Sequence, residues 1–229
     1  MTRQMPQIVH KTRTQVVVEI LRERILSGQI HAGEPLRQSS LAHELDVSRI
    51  PIREALLQLE AEGLVKFEAH KGATATELSL TQMDELFELR GLIEPTLLRR
   101  SVPNLTAEHL ATAADYLEQL GHALQQDNTI DSWSELNGLF HLSLYAGADR
   151  PHTLDMVRGL NTNSDRYIRL QLLLAGGRPK ADQEHRQLLE RCQAGDADGA
   201  AELLQHHIQS AGISAKNLIE AQMLRSHSK

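Results

Sequence analysis

The sequence predicts a mainly α-helical protein that combines an N-terminal winged helix-turn-helix with a C-terminal six-helix antiparallel bundle. Two observations lead to this fold class. In the first third of the chain, three short segments carry apolar residues at helical spacing, and two strand-like segments follow them. From residue 80 onward the apolar spacing is helical throughout, and turn residues interrupt it at five places.

The change of pattern also predicts the domain organisation. We expect flexible tails at residues 1–10 and 225–229. Between the tails we expect a winged helix-turn-helix domain over residues 11–78 and an all-helical domain over residues 79–224.

The composition is that of a globular protein with a sizeable core, since 41% of the residues are hydrophobic. No segment approaches the roughly 18 apolar residues of a membrane span. The first residues lack the apolar stretch of a secretion signal. A single cysteine, Cys192, permits no disulfide within the chain. We therefore expect a cytoplasmic protein that does not associate with a membrane.

The net charge of −6 is unevenly distributed along the chain. Residues 1–77 contain 10 basic and 10 acidic side chains, whereas residues 78–229 contain 14 and 20. A neutral segment can still present a basic face, so the charge does not exclude a nucleic-acid partner for the N-terminal part.

Two helices are predicted at the start of the N-terminal part. The first covers residues 14–27 and ends at Gly28. Ser40 is placed to cap a short second helix. Asp46 and Val47 then form a tight turn into the next element.

The third helix begins in the stretch VSRIPIREALLQLEAEGLV, residues 47–65. Ser48 is placed to cap it, and Pro51 falls in its first turn, where a missing N–H costs little. One face is apolar and is predicted to be buried: Ile52, Ala55, Leu56 and Leu59. Gly63 ends this helix, and residues 64–78 are predicted to form two strands. Their turn consists of His70, Lys71 and Gly72.

Arg49 and Arg53 lie one turn apart at the start of the third helix. In a winged helix-turn-helix, this end of the recognition helix meets base edges and phosphates. A planar guanidinium can bind guanine or phosphate through two hydrogen bonds, and the Ser48 hydroxyl is a further candidate donor. The spacing alone leaves open that both arginines are ordinary surface residues, with Glu54 close enough to pair with one of them.

The run GQIHAGEPLRQSSLAHELDVSRIPIREALLQLEAEGLV resembles the DNA-binding domain of GntR-type bacterial transcription regulators. This resemblance implies that Arg49 and Arg53 contact operator DNA and that Lys71 and Gly72, at the wing tip, reach the minor groove. Ile50 stands where the family often has threonine, so the operator sequence cannot be transferred from a relative.

Six helices are predicted in the second part, over residues 80–101, 106–126, 131–147, 151–175, 181–194 and 196–223. Aromatic residues make up only 3% of the chain, so we expect a core built mostly of leucine, isoleucine and alanine.

Three histidines fall on the apolar stripes of separate helices in this bundle: His141, His185 and His207. Asn137 lies one turn before His141 on the same stripe. Buried imidazoles need polar partners, and a shared metal ion would satisfy all three. The sequence leaves open that they are ordinary hydrogen-bonded core residues. Cys192 is interpreted as a small apolar residue of its stripe.

The segments FELRGLIEP, NGLFH, EHRQLLERCQAGD and LLQHHI, in this order, resemble the C-terminal ligand-binding domain of the FadR subfamily of GntR regulators, an FCD-type domain. Six helices suggest its VanR-like branch. The resemblance implies that Asn137, His141, His185 and His207 hold a divalent transition metal, which binds the carboxylate of a small organic acid. Zinc, nickel, manganese and iron all suit such ligands. Many relatives have aspartate where this chain has Asn137.

Arg90 matches an arginine that the subfamily places near the ligand pocket, and it is a candidate effector-binding residue. A guanidinium there can bind a carboxylate, but it can equally pair with Glu94 one helical turn later. The sequence does not choose between the two.

The functional hypothesis is a homodimeric DNA-binding repressor that recognises a palindromic operator. A small carboxylate effector in the all-helical domain, which also dimerises, would control its DNA affinity. Two alternatives use the same histidines, namely a regulator that responds to the metal alone and a helical metalloenzyme. The enzyme is disfavoured because HExxH, GxSxG and phosphate-loop motifs are missing from the sequence.

Overall fold

The computed structural model describes residues 12–26, 29–68, 72–76, 78–123, 130–175 and 181–227. The chain divides into two compact units, with one division between Leu78 and Ser79, and the second unit covers Ser79–Leu224. The predicted fold class is confirmed, with a winged helix-turn-helix in the first unit and a helical bundle in the second. The predicted tail at residues 1–10 lies outside the described residues.

The first unit contains three helices and a two-stranded sheet. In chain order they are α1 (Arg13–Leu26), α2 (Gln38–Glu44), α3 (Arg49–Ala61), β1 (Val65–Glu68) and β2 (Gly72–Ala75). The predicted apolar face of α3 is fully buried, and it packs against the buried stripe of α1. A bidentate ion pair between Arg22 of α1 and Glu62, just after α3, ties the two helices together at 2.6 and 2.9 Å.

The wing contains a third extended segment that the sequence did not predict. β1 and β2 pair antiparallel, with Val65 opposite Ala75 and Glu68 opposite Gly72. On the other edge of β2, Pro35 forms a bridge with Thr74, and Leu36 N–H donates to the carbonyl of Ala73 at 2.8 Å. This bridge holds the start of α2 beside the wing.

The helix starts differ in part from the predictions. Ser40 was predicted to cap α2, which is wrong: the helix begins two residues earlier and Arg37 occupies its N-cap position. Ser48 does occupy the N-cap of α3, but its hydroxyl makes no capping hydrogen bond. Asp46 adopts a left-handed backbone with φ of 50°, which makes the tight turn between α2 and α3. Gly63 ends α3 with φ of 73°, as expected for a glycine after a helix.

Within the described residues, the second unit has six α-helices. They are α4 (Leu80–Ser101), α5 (Ala107–Ala123), α6 (Ile130–Leu144), α7 (Pro151–Leu174), α8 (Ala181–Gln193) and α9 (Ala197–His227). Short 3-10 turns follow α4 and α6. These boundaries lie within a few residues of the predicted ones, except that α9 continues to His227, into the segment predicted to be a tail.

Among the described residues, the buried core of the bundle is mostly leucine, alanine and isoleucine, as expected, and aromatic side chains add to it. Three aromatic side chains, Phe140, Tyr145 and Tyr167, are among the largest that are fully buried. α9 approaches α4 closely at Gly212, where an added Cβ would lie 2.9 Å from the Phe87 ring. No helix in the described part of the chain is long and apolar enough to cross a membrane.

Candidate functional site

The first candidate site is the exposed face of α3. Arg49 and Arg53 are both exposed there, and Ile50 between them is 69% exposed. The opposite face of the same helix is fully buried, so these three side chains point away from the core. The local fold therefore presents two cations on the outer side of the recognition helix, close to its N-terminus.

The two arginines have no ion-pair or hydrogen-bond partner within the described residues. Glu54, which the sequence offered as a partner, accepts a hydrogen bond from the Thr14 hydroxyl at 2.7 Å. Within this described part of the chain, both guanidinium groups are thus unpaired. This is the state in which an arginine can bind an external anion at the smallest cost.

Arg37 is a neighbour of this face that was not predicted from the sequence. Arg37 is exposed at the N-cap of α2, and it lines the same surface depression as Arg49 and Gly72. Gly72 begins β2 with φ of 77°, a conformation that glycine adopts without strain. Lys71, the other predicted wing residue, lies outside the described residues. The β-bridge at Pro35 brings Arg37 to this surface, and helical periodicity does not reveal that contact.

The second candidate site is a cluster of three buried histidines in the bundle. His141 of α6, His185 of α8 and His207 of α9 come together with ring centroids 4.8–5.3 Å apart. One ring nitrogen from each lies within 4.8 Å of the others. The adjacent His206 is exposed on α9 and takes no part in the cluster.

Several buried polar atoms around the cluster have no hydrogen-bond partner among the described residues. They are Nδ1 of His141, both ring nitrogens of His185, and Oδ1 of Asn137. A buried polar atom without a partner is costly, since it has lost its hydration. A ligand bound at this place would supply partners for all four atoms.

Burial sets the protonation state of the cluster. Burial, followed by repulsion from neighbouring histidines, holds the pKa of His141 and of His185 well below the usual value. Both rings are therefore neutral at physiological pH, and each keeps a nitrogen lone pair. Neutral imidazoles with one amide oxygen form a donor set that suits a divalent transition metal. The residues present fit a metal ion, and the three histidines could hold one.

Glu184 joins the cluster from a position beside the apolar stripe of α8. Oε2 of Glu184 lies 2.7 Å from Nδ1 of His207. The hydrogen bond with His207 lowers the pKa of the Glu184 carboxyl group. Glu184 is thus ionised and accepts the Nδ1 proton of His207.

A cavity of about 570 Å³ opens beside the histidines. Asn137, His141, Glu184 and His207 are on its wall, and Trp133 and Arg90 also line it. Further polar groups come from Gln171, Ser210 and Ser214. The cavity is large enough for a small organic molecule, and it gives such a molecule direct access to two of the three histidines.

Arg90 forms the ion pair with Glu94 that the sequence offered as one of two alternatives. Its Nε donates to Oε1 of Glu94 at 2.7 Å, and its Nη1 donates to the Ser164 hydroxyl at 3.1 Å. Glu94 is fully buried and also accepts from the Tyr145 hydroxyl at 2.7 Å. Arg90 nevertheless lines the cavity, so the ion pair fixes a guanidinium in its wall.

Cys192 lies outside the group of possible metal-binding atoms, among the described residues. Its side chain is buried on α8, and burial raises the pKa of the thiol to about 12. It is therefore a protonated thiol in the folded chain.

Comparison with known families assigns both units. The sequence profile described as bacterial regulatory proteins, gntR family, matches residues 13–74. The FCD domain profile matches residues 85–210, which is more than half of the chain. The chain belongs to the GntR family of bacterial regulatory proteins. As a GntR-family protein with an FCD effector-binding domain, it is a DNA-binding transcription regulator.

Individual relatives agree with the GntR assignment. BphR of Paraburkholderia xenovorans, named an uncharacterized HTH-type transcriptional regulator, is 31% identical over 196 residues, which cover 83% of this chain and 80% of BphR. RspR of Escherichia coli, named a transcriptional repressor, is 24% identical over 89% of both chains. The crystal structure of a GntR-family regulator from Pseudomonas syringae pv. tomato is 34% identical, with a TM-score of 0.56, over 92% of this chain and 87% of that one. These relatives are regulators and not enzymes, so the metalloenzyme alternative is set aside.

Proposed function

We propose that this GntR-family regulator is a homodimeric repressor whose operator affinity is controlled by a small organic acid, bound beside a divalent transition metal in the bundle cavity. The observation that carries the proposal is the cavity wall, where two histidines of the cluster, His141 and His207, line the same space as Arg90. A repressor is favoured because RspR, a relative over most of its length, is named as one.

The DNA-binding part of the proposal rests on the exposed face of α3. Arg49 and Arg53 bind base edges or phosphates of the major groove, and the Ser48 hydroxyl binds a phosphate. Lys71 and Gly72 at the wing reach the adjacent minor groove. A two-fold dimer presents two such faces, so the expected operator is palindromic.

The metal part of the proposal assigns Asn137, His141, His185 and His207 as ligands. A divalent cation held there would supply a positive centre that binds a carboxylate oxygen. No ligand of this set is anionic, so the centre would keep a net positive charge, which favours an anionic effector. The candidate metals are zinc, nickel, manganese and iron, and elemental analysis identifies which one is bound.

Groups in the cavity support a carboxylate as the effector. Arg90 provides a cation at the wall, and Gln171, Ser210 and Ser214 provide hydrogen-bond donors. Glu184 is the only acidic residue among the described residues that line the cavity, and its carboxylate is engaged with His207. The wall is therefore suited to a small acid with additional polar groups.

Helix α7 offers a route by which the cavity can influence the chain at the domain boundary. Ile168, Gln171 and Leu172 of this helix line the cavity. One residue earlier, the hydroxyl of Tyr167 donates to the carbonyl of Ser79 at 2.9 Å. Ser79 caps α4 and is the first residue after the division between the two units. A ligand that shifts α7 would thus act on the segment that leads to the DNA-binding unit.

A regulator that responds to the metal alone is the second candidate, since the histidine cluster is buried and complete without an organic molecule. The first experiment is elemental analysis of untagged protein purified without chelator. Wild type is compared with His185→Ala and with His206→Ala, whose histidine is exposed. We expect about one transition-metal ion per chain in wild type and in His206→Ala, and loss of the ion in His185→Ala. Absence of metal from wild type contradicts the metal centre.

The second experiment separates the two candidates. Operator duplexes are first selected from random DNA by the wild-type protein, and gel shifts are then recorded with metal-loaded and chelated protein, with and without a panel of organic acids. DNA release that requires both metal and acid supports the proposal. Release by metal alone favours the metal-responsive regulator.

A further inference from the structure

We infer that Glu184 is a positioning residue of the metal centre, which holds the His207 ring in its metal-binding tautomer and supplies the negative charge that Asn137 does not. This inference rests on the proposed metal centre and adds a residue to it. Helical periodicity does not indicate this role, because Glu184 and His185 are neighbours on α8 and only His185 lies on the apolar stripe.

The contact joins two helices that both contribute ligands. Glu184 comes from α8, next to His185, and it reaches His207 on α9 through the 2.7 Å bond to Nδ1. The side chain of His207 is 11% exposed and that of Glu184 is 31% exposed, so the bond is sheltered but its carboxylate is partly hydrated. Because partial hydration lowers the desolvation cost, the carboxylate can remain charged at this position.

Glu184 does not qualify as a direct ligand. Its carboxylate oxygens are outside the set of atoms that lie within 4.8 Å of one another in the three histidines. Metal-binding histidines commonly donate their second ring N–H to a carboxylate, which fixes the ring and raises the basicity of the ligating nitrogen. Glu184 has this relationship to His207.

The bond determines which nitrogen of His207 is available. An ionised carboxylate can only accept a hydrogen bond, so the shared proton resides on Nδ1. In a neutral imidazole with its proton on Nδ1, the lone pair is on Nε2. Nδ1 of His141 and both nitrogens of His185 lack hydrogen-bond partners in the described part of the chain, so His207 is the member of the cluster whose tautomer is fixed in this way.

The same carboxylate balances the charge of the centre. Asn137 and the three imidazoles are all neutral ligands, so a divalent ion among them has no anion in direct contact. Glu184 places one negative charge next to the centre, where it is hydrogen-bonded to Nδ1 of His207. This arrangement stabilises a cation at the histidines and still leaves its open side free for an anionic effector.

The test is the zinc affinity of the full-length chain, measured by competition with a chromophoric chelator. Glu184→Ala, Glu184→Gln and the control Glu190→Gln are compared with wild type. Glu190 is exposed on the same helix and is absent from the wall of the cavity. The melting temperature of each metal-free protein is recorded in parallel, because a purely structural role of Glu184 would change this temperature.

We expect Glu184→Ala to weaken zinc binding by about 10- to 100-fold. Glu184→Gln, which keeps the shape and an acceptor oxygen but loses the charge, should show a smaller loss. Glu190→Gln should bind zinc as wild type does, and the metal-free melting temperatures of the Glu184 variants should remain close to that of wild type.

Three results would overturn the inference in distinguishable ways. If wild type binds zinc and Glu184→Ala binds it equally well, the role of Glu184 is refuted and the metal centre stands. If wild type itself fails to bind zinc and the other candidate metals, the metal centre is refuted together with its positioning residue. A zinc loss in Glu184→Gln as large as that in Glu184→Ala, with unchanged melting, would overturn the tautomer role, because glutamine keeps an acceptor oxygen.

Discussion

Arg90 and Glu94 form a buried ion pair one turn apart on α4, with Nε of Arg90 2.7 Å from Oε1 of Glu94. The side chains are 8% and 0% exposed, so neither charge is well hydrated. The Tyr145 hydroxyl, in the turn after α6, donates a further hydrogen bond to Glu94. A charge in this environment is tolerated only while its partners remain in place.

Arg90→Ala should therefore destabilise the bundle by about 3–5 kcal/mol, since it leaves the Glu94 carboxylate buried without its cation. The free energy of unfolding in urea measures this effect. Arg158→Ala is the matched control, because its ion pair with Asp155 is exposed and should contribute less than about 1 kcal/mol. Equal losses of unfolding free energy in the two variants would mean that the buried Arg90 pair contributes no more to stability than an exposed pair.

The exposed face of α3 predicts the effect of removing each arginine. Arg49→Ala and Arg53→Ala should each lose about 1–3 kcal/mol of operator-binding free energy. If the lost contact is to a phosphate, the slope of the logarithm of the binding constant against the logarithm of salt concentration should also become shallower by about one unit. Gel shifts at several salt concentrations measure both quantities, with Arg158→Ala as a control. Unchanged affinity in both variants would remove α3 from the DNA interface.

The neutral amide in the proposed ligand set predicts a gain of function. Asn137→Asp should bind zinc more tightly than wild type, by about 10-fold or more, since an anionic oxygen replaces a neutral one. Chelator competition measures the change. Asn163→Asp adds the same charge on α7 at an exposed position and should leave zinc affinity unaltered. Tighter binding in both variants would indicate a general effect of charge.

The buried thiol of Cys192 predicts a dependence of stability on pH. Burial raises its pKa from 9.0 to about 12, so the folded chain keeps the proton that the unfolded chain releases above pH 9. Stability should therefore decrease as pH rises through the window from 9 to 12. By pH 10 the decrease due to this group is about 1.4 kcal/mol. Urea unfolding at pH 8 and pH 10 should show a larger loss for wild type than for Cys192→Ala, and equal losses would refute the shift.

The contact between Tyr167 and Ser79 predicts a variant that separates binding from regulation. Tyr167→Phe removes one hydroxyl and should cost only about 1 kcal/mol of stability. Affinity for the acid found in the screen should persist, while its effect on DNA affinity should fall by about 0.5–2 kcal/mol. Gel shifts with and without the acid measure this coupling. Tyr116→Phe, on α5, is the control, and identical coupling in the two variants would exclude this route.

Helical periodicity predicted most of the fold and the positions of the three histidines. The buried stripes of α3, α6, α8 and α9 repeat at the helical period, so the sequence alone identifies which face turns inward. His207 and His206 illustrate this, because the stripe selected the histidine that the structure places in the cluster.

Contacts between elements were not accessible to the same reasoning. Glu184 lies off the stripe of its helix, and only the packing of α8 beside α9 brings its long side chain to His207. Arg37 joins the surface depression lined by Arg49 and Gly72 because of a strand bridge at Pro35, in a segment too short to show a periodic pattern. Arg90 could not be assigned from the sequence because its two candidate roles require the same position.

Trp133 lines the cavity, with its ring 6.3 Å from that of His185 and its indole N–H without a hydrogen-bond partner in the described residues. It is also the single tryptophan of the chain. Intrinsic tryptophan fluorescence therefore arises from one known place, beside the proposed metal and effector. Filling the cavity changes the surroundings of this fluorophore directly, and the DNA-binding unit adds no tryptophan signal of its own. The regulator thus carries a built-in optical probe of its pocket, and ligand titrations can be followed on the unlabelled, unmodified protein.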